Sequence, residues 1–146
     1  MSSPAGKHFG GELPLEIYHS AKRGELQKVV KWLRKVGPVD ALCTVPTEGG
    51  RTSNFALLHA AAGNGHLELV RMLLKRGASV DLPGFIGWTA LMKAADYGHL
   101  SILLILLQHS ANPDLQDIDC DTALMMAARQ GHKPCVKALL RAKADT

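Results

Sequence analysis

A fixed spacing of 33 residues governs most of this chain and leaves few folds open to it. The segment from Leu58 to Leu67 (Leu-His-Ala-Ala-Ala-Gly-Asn-Gly-His-Leu) returns from Leu91 to Leu100 (Leu-Met-Lys-Ala-Ala-Asp-Tyr-Gly-His-Leu). It returns again from Leu124 to Lys133 (Leu-Met-Met-Ala-Ala-Arg-Gln-Gly-His-Lys). Gly65, Gly98 and Gly131 keep the same spacing, as do His66, His99 and His132, and then Ala78, Ala111 and Ala144. The leucine pairs Leu73-Leu74, Leu106-Leu107 and Leu139-Leu140 follow it too. A period of this length means one supersecondary unit repeated, each copy burying its apolar face only against its neighbours. A divergent copy lies upstream, where Ser20, Ala21, Gly24, Val29, Leu33 and Asp40 align with the later units at an offset of 41 instead of 33, eight residues more. The surplus falls within Cys43 to Asn54, whose Gly, Thr, Ser and Pro content reads as an enlarged loop with a tight turn at Thr47-Glu48-Gly49-Gly50.

The stretches Gly87-Trp88-Thr89-Ala90-Leu91 and Asp117 to Leu124, with the Ala-Ala-x-x-Gly-His core, resemble the ankyrin repeat, and the resemblance covers residues 13–146. It implies an all-α solenoid of stacked helix–turn–helix units with β-turn fingers, and no sheet beyond those fingers. The expected division is a flexible N-terminal segment 1–12, a cap 13–42, the enlarged loop 43–54, and repeats 55–82, 83–115 and 116–146. First helices should start near residues 14, 56, 89 and 122. Lys137, Ala138 and Arg141 make the last helix more polar than its predecessor, so it could serve as a makeshift cap. The favoured expectation is a piece of a longer array.

Local chemistry agrees with that architecture. Thr89 and Thr122 stand where a hydroxyl caps a helix start, and the alanine pairs keep each first helix slim. Gly65, Gly98 and Gly131 suit the left-handed residue that ends it. Ser101 to His109 is apolar nearly all round, which predicts burial on both sides. The first unit carries Lys22, Arg23, Lys28, Lys31, Arg34 and Lys35 and reads as a solvated cap. The family's Thr–His pair occurs in no unit: His59 comes with Ala56, while Thr89 and Thr122 come with Met92 and Met125. Cys120 replaces a turn glycine, at a cost of about 1 kcal/mol if that residue is left-handed.

Several function classes are set aside. The net charge of +4 comes from basic residues dispersed along helices, not gathered on one face, so nucleic-acid binding is not expected. The apolar run from Ile102 to Leu107 is far too short for a bilayer and no signal-peptide pattern opens the chain, so the reading is cytoplasmic, with no membrane insertion. Three cysteines at irregular spacing do not make a disulfide framework; Cys43 and Cys120 read as loop thiols, Cys135 as a small buried hydrophobe. The periodic histidines point to a structural hydrogen bond repeated between units, not to a metal. Asp117, Asp119 and Asp121 alternate as in a calcium loop, but the glycine and distal glutamate of that motif are missing. No nucleophile–base set or phosphate loop occurs, so no catalytic residue, cofactor, metal or small-molecule substrate is expected. A chelator should leave the melting temperature unchanged; a drop of many degrees with EDTA would overturn the structural assignment of these histidines.

Among the seven aromatic residues, Trp32 and Tyr18 hold core positions. Phe85, Trp88 and Tyr97, with Ile86, hold positions the family leaves variable: finger tips and the last exposed turn of the first helix, which the resemblance assigns to the concave binding surface. Side chains there are predicted to lie outside the inter-repeat core. Chance decoration or self-association would also account for them, but exposed aromatic clusters serve more often as anchors. The predicted partner-binding strip is Phe85, Ile86, Trp88 and Tyr97 at the centre, flanked by Asp96, His109, Ile118, Asp119, Asp121, Arg129 and Gln130. The expected function is a non-catalytic, monomeric module that captures a partner protein, natural or engineered. The alternative is a regulatory ankyrin segment of a larger multidomain enzyme or channel.

Overall fold

The computed structural model describes residues 12–35 and 37–144. The segment 1–12, read as flexible, lies outside them except for Glu12, which forms a parallel bridge to Leu42 and accepts a hydrogen bond from Thr44 Oγ1 at 3.3 Å.

Among the described residues eight α-helices alternate in two layers. The first helices are α1 (Leu15–Lys22), α3 (Leu57–Gly63), α5 (Ala90–Tyr97) and α7 (Ala123–Gln130). The second helices are α2 (Leu26–Lys35), α4 (Leu67–Lys75), α6 (Leu100–Gln108) and α8 (Lys133–Ala144). The inner layer stacks α1 on α3, α3 on α5 and α5 on α7, while α4 meets α6 and α6 meets α8 outside. Alanines make the inner stacking close: Ala61, Ala62, Ala94, Ala95 and Ala127 are fully or almost fully buried. Two of the first helices, α5 and α7, start behind a threonine that receives a free N–H group. Thr89 Oγ1 accepts from the Met92 N–H and Thr122 Oγ1 from the Met125 N–H, both at 3.3 Å. In the second unit Ala56 offers no hydroxyl, and His59 binds the start of α3 from the other side: its Nδ1 accepts from the Ala56 N–H at 2.9 Å, and its Nε2–H donates to the Leu82 carbonyl at 2.8 Å. Met92 does the equivalent job with sulfur, accepting from the Thr89 N–H at 3.4 Å.

Two ties recur between units. His66, His99 and His132 donate through Nε2 to the carbonyls of Lys22, Gly63 and Asp96, at 2.7, 3.2 and 3.0 Å. These three acceptors are equivalent positions, each at the end of the preceding first helix, so the expected turn-to-turn bond is present. Gly24, Gly65 and Gly98 are left-handed (φ 73, 78 and 74) and sit against those imidazoles. A Cβ on Gly98 would stand 2.6 Å from His132 Nδ1, so glycine there supplies both the conformation and the space. The second tie runs from Asp40 to the Ser79 N–H at 2.9 Å and from Asp81 to the Asn112 N–H at 3.0 Å.

Three expectations are corrected. The stretch 43–54, read as an enlarged loop, is most of a hairpin, β1 (Leu42–Pro46) paired antiparallel with β2 (Thr52–Ala56), so the finger between the first two units is itself a small sheet. The tight turn is where the glycines put it, with Gly49 and Gly50 at φ 84 and 78 and the Thr47 N–H donating to the Arg51 carbonyl at 2.9 Å. Cys43 is accordingly no loop thiol: it points inward from β1, buried, whereas Cys120 is exposed and Cys135 buried as expected. Helix α6 is buried on one side only. Ile102, Leu103 and Leu106 face the core while Leu104 is 42% exposed, because the second helices form a single layer with water behind it.

Candidate functional site

Finger tips and first helices run side by side along one face of the stack. Between units two and three it opens into a recess of about 260 Å³ whose lining includes Phe55, Phe85, Ile86, Trp88, Lys93 and Tyr97. Phe55 comes from the hairpin and meets Phe85 edge-on, ring centroids 6.3 Å apart. Gly84 allows that approach, since a Cβ there would lie 2.7 Å from the Phe55 ring and 2.9 Å from the Asn54 carbonyl. The third finger turns at Ile86, whose φ of 51 places a β-branched residue in the left-handed region, followed by Gly87 at φ 82. Such a residue costs about 1–3 kcal/mol and persists only where its surroundings hold it. Here the Ile86 carbonyl accepts from the Ile118 N–H at 3.0 Å, stitching the third finger to the fourth. The fourth finger is closed by Asp117, whose Oδ1 accepts from the Asp119 and Asp121 N–H groups, both at 2.9 Å. That aspartate serves a turn, and among the described residues no cluster of three or more His, Cys, Asp or Glu is placed to hold a metal ion. Cys120 is left-handed at φ 65, as its glycine position requires.

The predicted residues divide into groups. Phe85, Ile86, Trp88 and Tyr97 come together in the recess. Beside them Asp96 Oδ1 accepts from the Gln130 amide at 3.2 Å, and Arg129 pairs with Asp121 at 3.0 Å. Both contacts are at the surface, where an ion pair contributes at most about 1 kcal/mol and breaks readily for a partner. Ile118 is 70% exposed at the fourth finger tip beside the exposed Asp119. His109 is exposed at the end of α6 and does not line the recess.

Burial corrects one expectation. Tyr97 is 56% exposed, but Trp88 is half-buried and packs against the core, as does Phe55. Its indole N–H is buried and meets no acceptor among the described residues. Position alone could not reveal this, because the finger slot itself does not set how deeply its side chain packs. Lys93 was also missed. It replaces the Ala60 and Met126 of the neighbouring units, and that break in the repeat was the available signal. Its amine lies 4.1 Å from the Phe55 ring centroid and 5.2 Å from that of Trp88. Burial pulls its pKa below the ordinary lysine value, with Asp96 opposing the shift and Lys22 adding to it.

Comparison with known families settles the architecture. A family model of ankyrin repeats in three copies matches residues 17–117, and a single ankyrin repeat matches residues 119–146. The chain belongs to the ankyrin-repeat family. Ankyrin repeats are protein–protein interaction modules and are generally non-catalytic. This ankyrin domain is similar to part of the histone-lysine N-methyltransferase EHMT1 of Homo sapiens and of Mus musculus, 38% identical over 68 residues in each. That match covers 47% of this chain and 5% of the enzyme. It is also similar to the probable E3 ubiquitin-protein ligase XBOS33 of Oryza sativa subsp. japonica, 41% identical over 92 residues, 63% of this chain and 16% of that protein. The chain thus spans a small fraction of the curated relatives it matches. Among the described residues no helix is long and apolar enough to cross a membrane.

Proposed function

We propose that this ankyrin domain is a non-catalytic binding module that captures a partner protein on its finger and first-helix face. The observation that carries this reading is the recess where Phe85, Ile86, Trp88 and Tyr97 of the third unit meet Phe55 of the second. Large rings held on rigid elements lose little conformational entropy on binding and bury much area. The flanking groups Asp96, Ile118, Asp119, Asp121, Arg129 and Gln130 continue the strip along the fourth unit.

Tyr97→Ala and Phe85→Ala should each weaken binding to the partner by roughly 1 to 4 kcal/mol. Tyr97→Ala should do so without moving the melting temperature, because its ring is mostly in solvent. Trp88→Ala should lower affinity and stability together, because that ring also packs against the core. Calorimetric titration beside thermal melts reads both quantities. Normal affinity in Tyr97→Ala and Phe85→Ala would remove the strip from the interface.

A second reading is favoured by the relatives, in which the matched repeats are a small part of a methyltransferase or a ligase. There the face would dock within a larger polypeptide and regulate it. Co-purification of this domain with the remainder of such a polypeptide, abolished by Tyr97→Ala, would support this version.

A further inference from the structure

The repeat breaks its own rule at Lys93. The equivalent positions hold Ala60 and Met126, so stacking α5 between its neighbours calls for no charge there. The ammonium is instead flanked by the Phe55 and Trp88 rings, and it makes no ion pair among the described residues. Ring faces compensate a desolvated cation only in part. Asp96, one turn further along the same helix, acts on it electrostatically, but its Oδ1 is engaged by Gln130. A second recess, of about 400 Å³, adjoins the first through Lys93 and Tyr97 and adds Lys22 and Asn64. Among the described residues no carboxylate lines either recess. Around Lys93 the two recesses are therefore aromatic and cationic, with Asp96 beside them tied to Gln130 and the further acids Asp119 and Asp121 on the fourth unit.

We propose that this face selects a partner segment carrying an aspartate or glutamate, whose carboxylate pairs with Lys93 while an adjacent apolar side chain rests on the ring of Tyr97. The inference rests on the reading of this face as a partner-binding surface and names the chemistry it recognises. A carboxylate fits better than a neutral group for two reasons. The amine has donors to offer and no acceptor pairing with them, and a charge-assisted bond gains strength where rings exclude water. A cationic segment is disfavoured by Lys93 and Lys22 together, so the same residues supply rejection as well as attraction.

The test is selection of displayed random peptides on the intact chain, followed by affinity measurement on the winners. Selected peptides should be enriched in Asp or Glu beside an apolar residue. Lys93→Met should weaken them by about tenfold or more, and Lys93→Arg should restore most of that affinity. Met126 occupies the equivalent position in the fourth unit, so the fold accommodates methionine there, and unchanged melting curves would confirm it. Binding should also weaken as salt rises. Peptides that compete with Tyr97→Ala-sensitive binding yet show no acidic enrichment, or that bind Lys93→Met equally well, would overturn the carboxylate inference and leave the binding face standing. Peptides indifferent to Tyr97→Ala and Phe85→Ala, or no selected peptides at all, would overturn both.

Discussion

Leu106→Ala should destabilise the stack by about 2–5 kcal/mol, a large share of the 5–15 kcal/mol that holds a typical domain together. Leu106 is 0% exposed, on the inward face of α6, where Ile102 and Leu103 are also buried. The third unit is internal, so a cavity there weakens the joins on both sides, and stability in an array is close to a sum of unit and join contributions. Leu104→Ala in the same helix is the informative control. Its side chain is 42% exposed, and truncating it should cost less than about half as much. Urea denaturation of the two variants measures the difference. Equal losses would mean that α6 is buried all round, as its composition suggests, and that the single outer layer described above is wrong.

Acid should weaken the fold through His59. Burial pushes this imidazole down to about 4 from the ordinary 6.5. The ring is 1% exposed, and its Nδ1 is occupied in accepting the Ala56 N–H. Above pH 6.5 the residue is neutral in both states and has no effect on the pH dependence. As pH falls below 6.5 the unfolded chain takes up a proton that the folded chain refuses, so stability drops until the folded ring also titrates near pH 4. The full loss is on the order of 3 kcal/mol. Urea midpoints at pH 7 and pH 4.5 should therefore diverge more for the wild type than for His59→Gln, which cannot titrate. The variant will be less stable at pH 7, since two backbone groups lose their partner, but its pH slope should be flatter. Identical slopes would remove His59 from the acid response.

Much of the fold was legible because the period does the aligning. First helices expected near residues 14, 56, 89 and 122 start at Leu15, Leu57, Ala90 and Ala123. Threonine, the alanine pair, glycine and histidine each answer a local geometric demand that recurs fully in the third and fourth units and in part in the first two. The hairpin was harder to see. Its strands, Leu-Cys-Thr-Val-Pro and Thr-Ser-Asn-Phe-Ala, are short and lack a regular apolar–polar alternation, so nothing in the pattern announces that Cys43 and Ser53 turn inward. The site was half legible. Phe85, Ile86, Trp88 and Tyr97 stand out against variable positions, and they do converge. How deeply Trp88 sits was not readable, nor was the position of Lys93 between two rings. The second depends on Phe55, which reaches Lys93 from the longer finger of another unit. A period describes what units share, while a recess is made by what neighbouring units do not.

The histidine ties also give the array a grammar of direction. Each of His66, His99 and His132 reaches backward to the unit before it, never forward. The first unit carries Glu25 in that position, and its carboxylate is held by Arg23 and Lys28 of its own unit. A carboxylate facing the carbonyl end of a preceding helix would repel it, so this unit can open a sentence but not continue one. The third unit, by contrast, could be spliced in again behind the fourth, where the Arg129 carbonyl stands at the position that Gly63 and Asp96 occupy earlier. Rearranged chains built on that rule should assemble, and chains that place the first unit anywhere but first should break at that join.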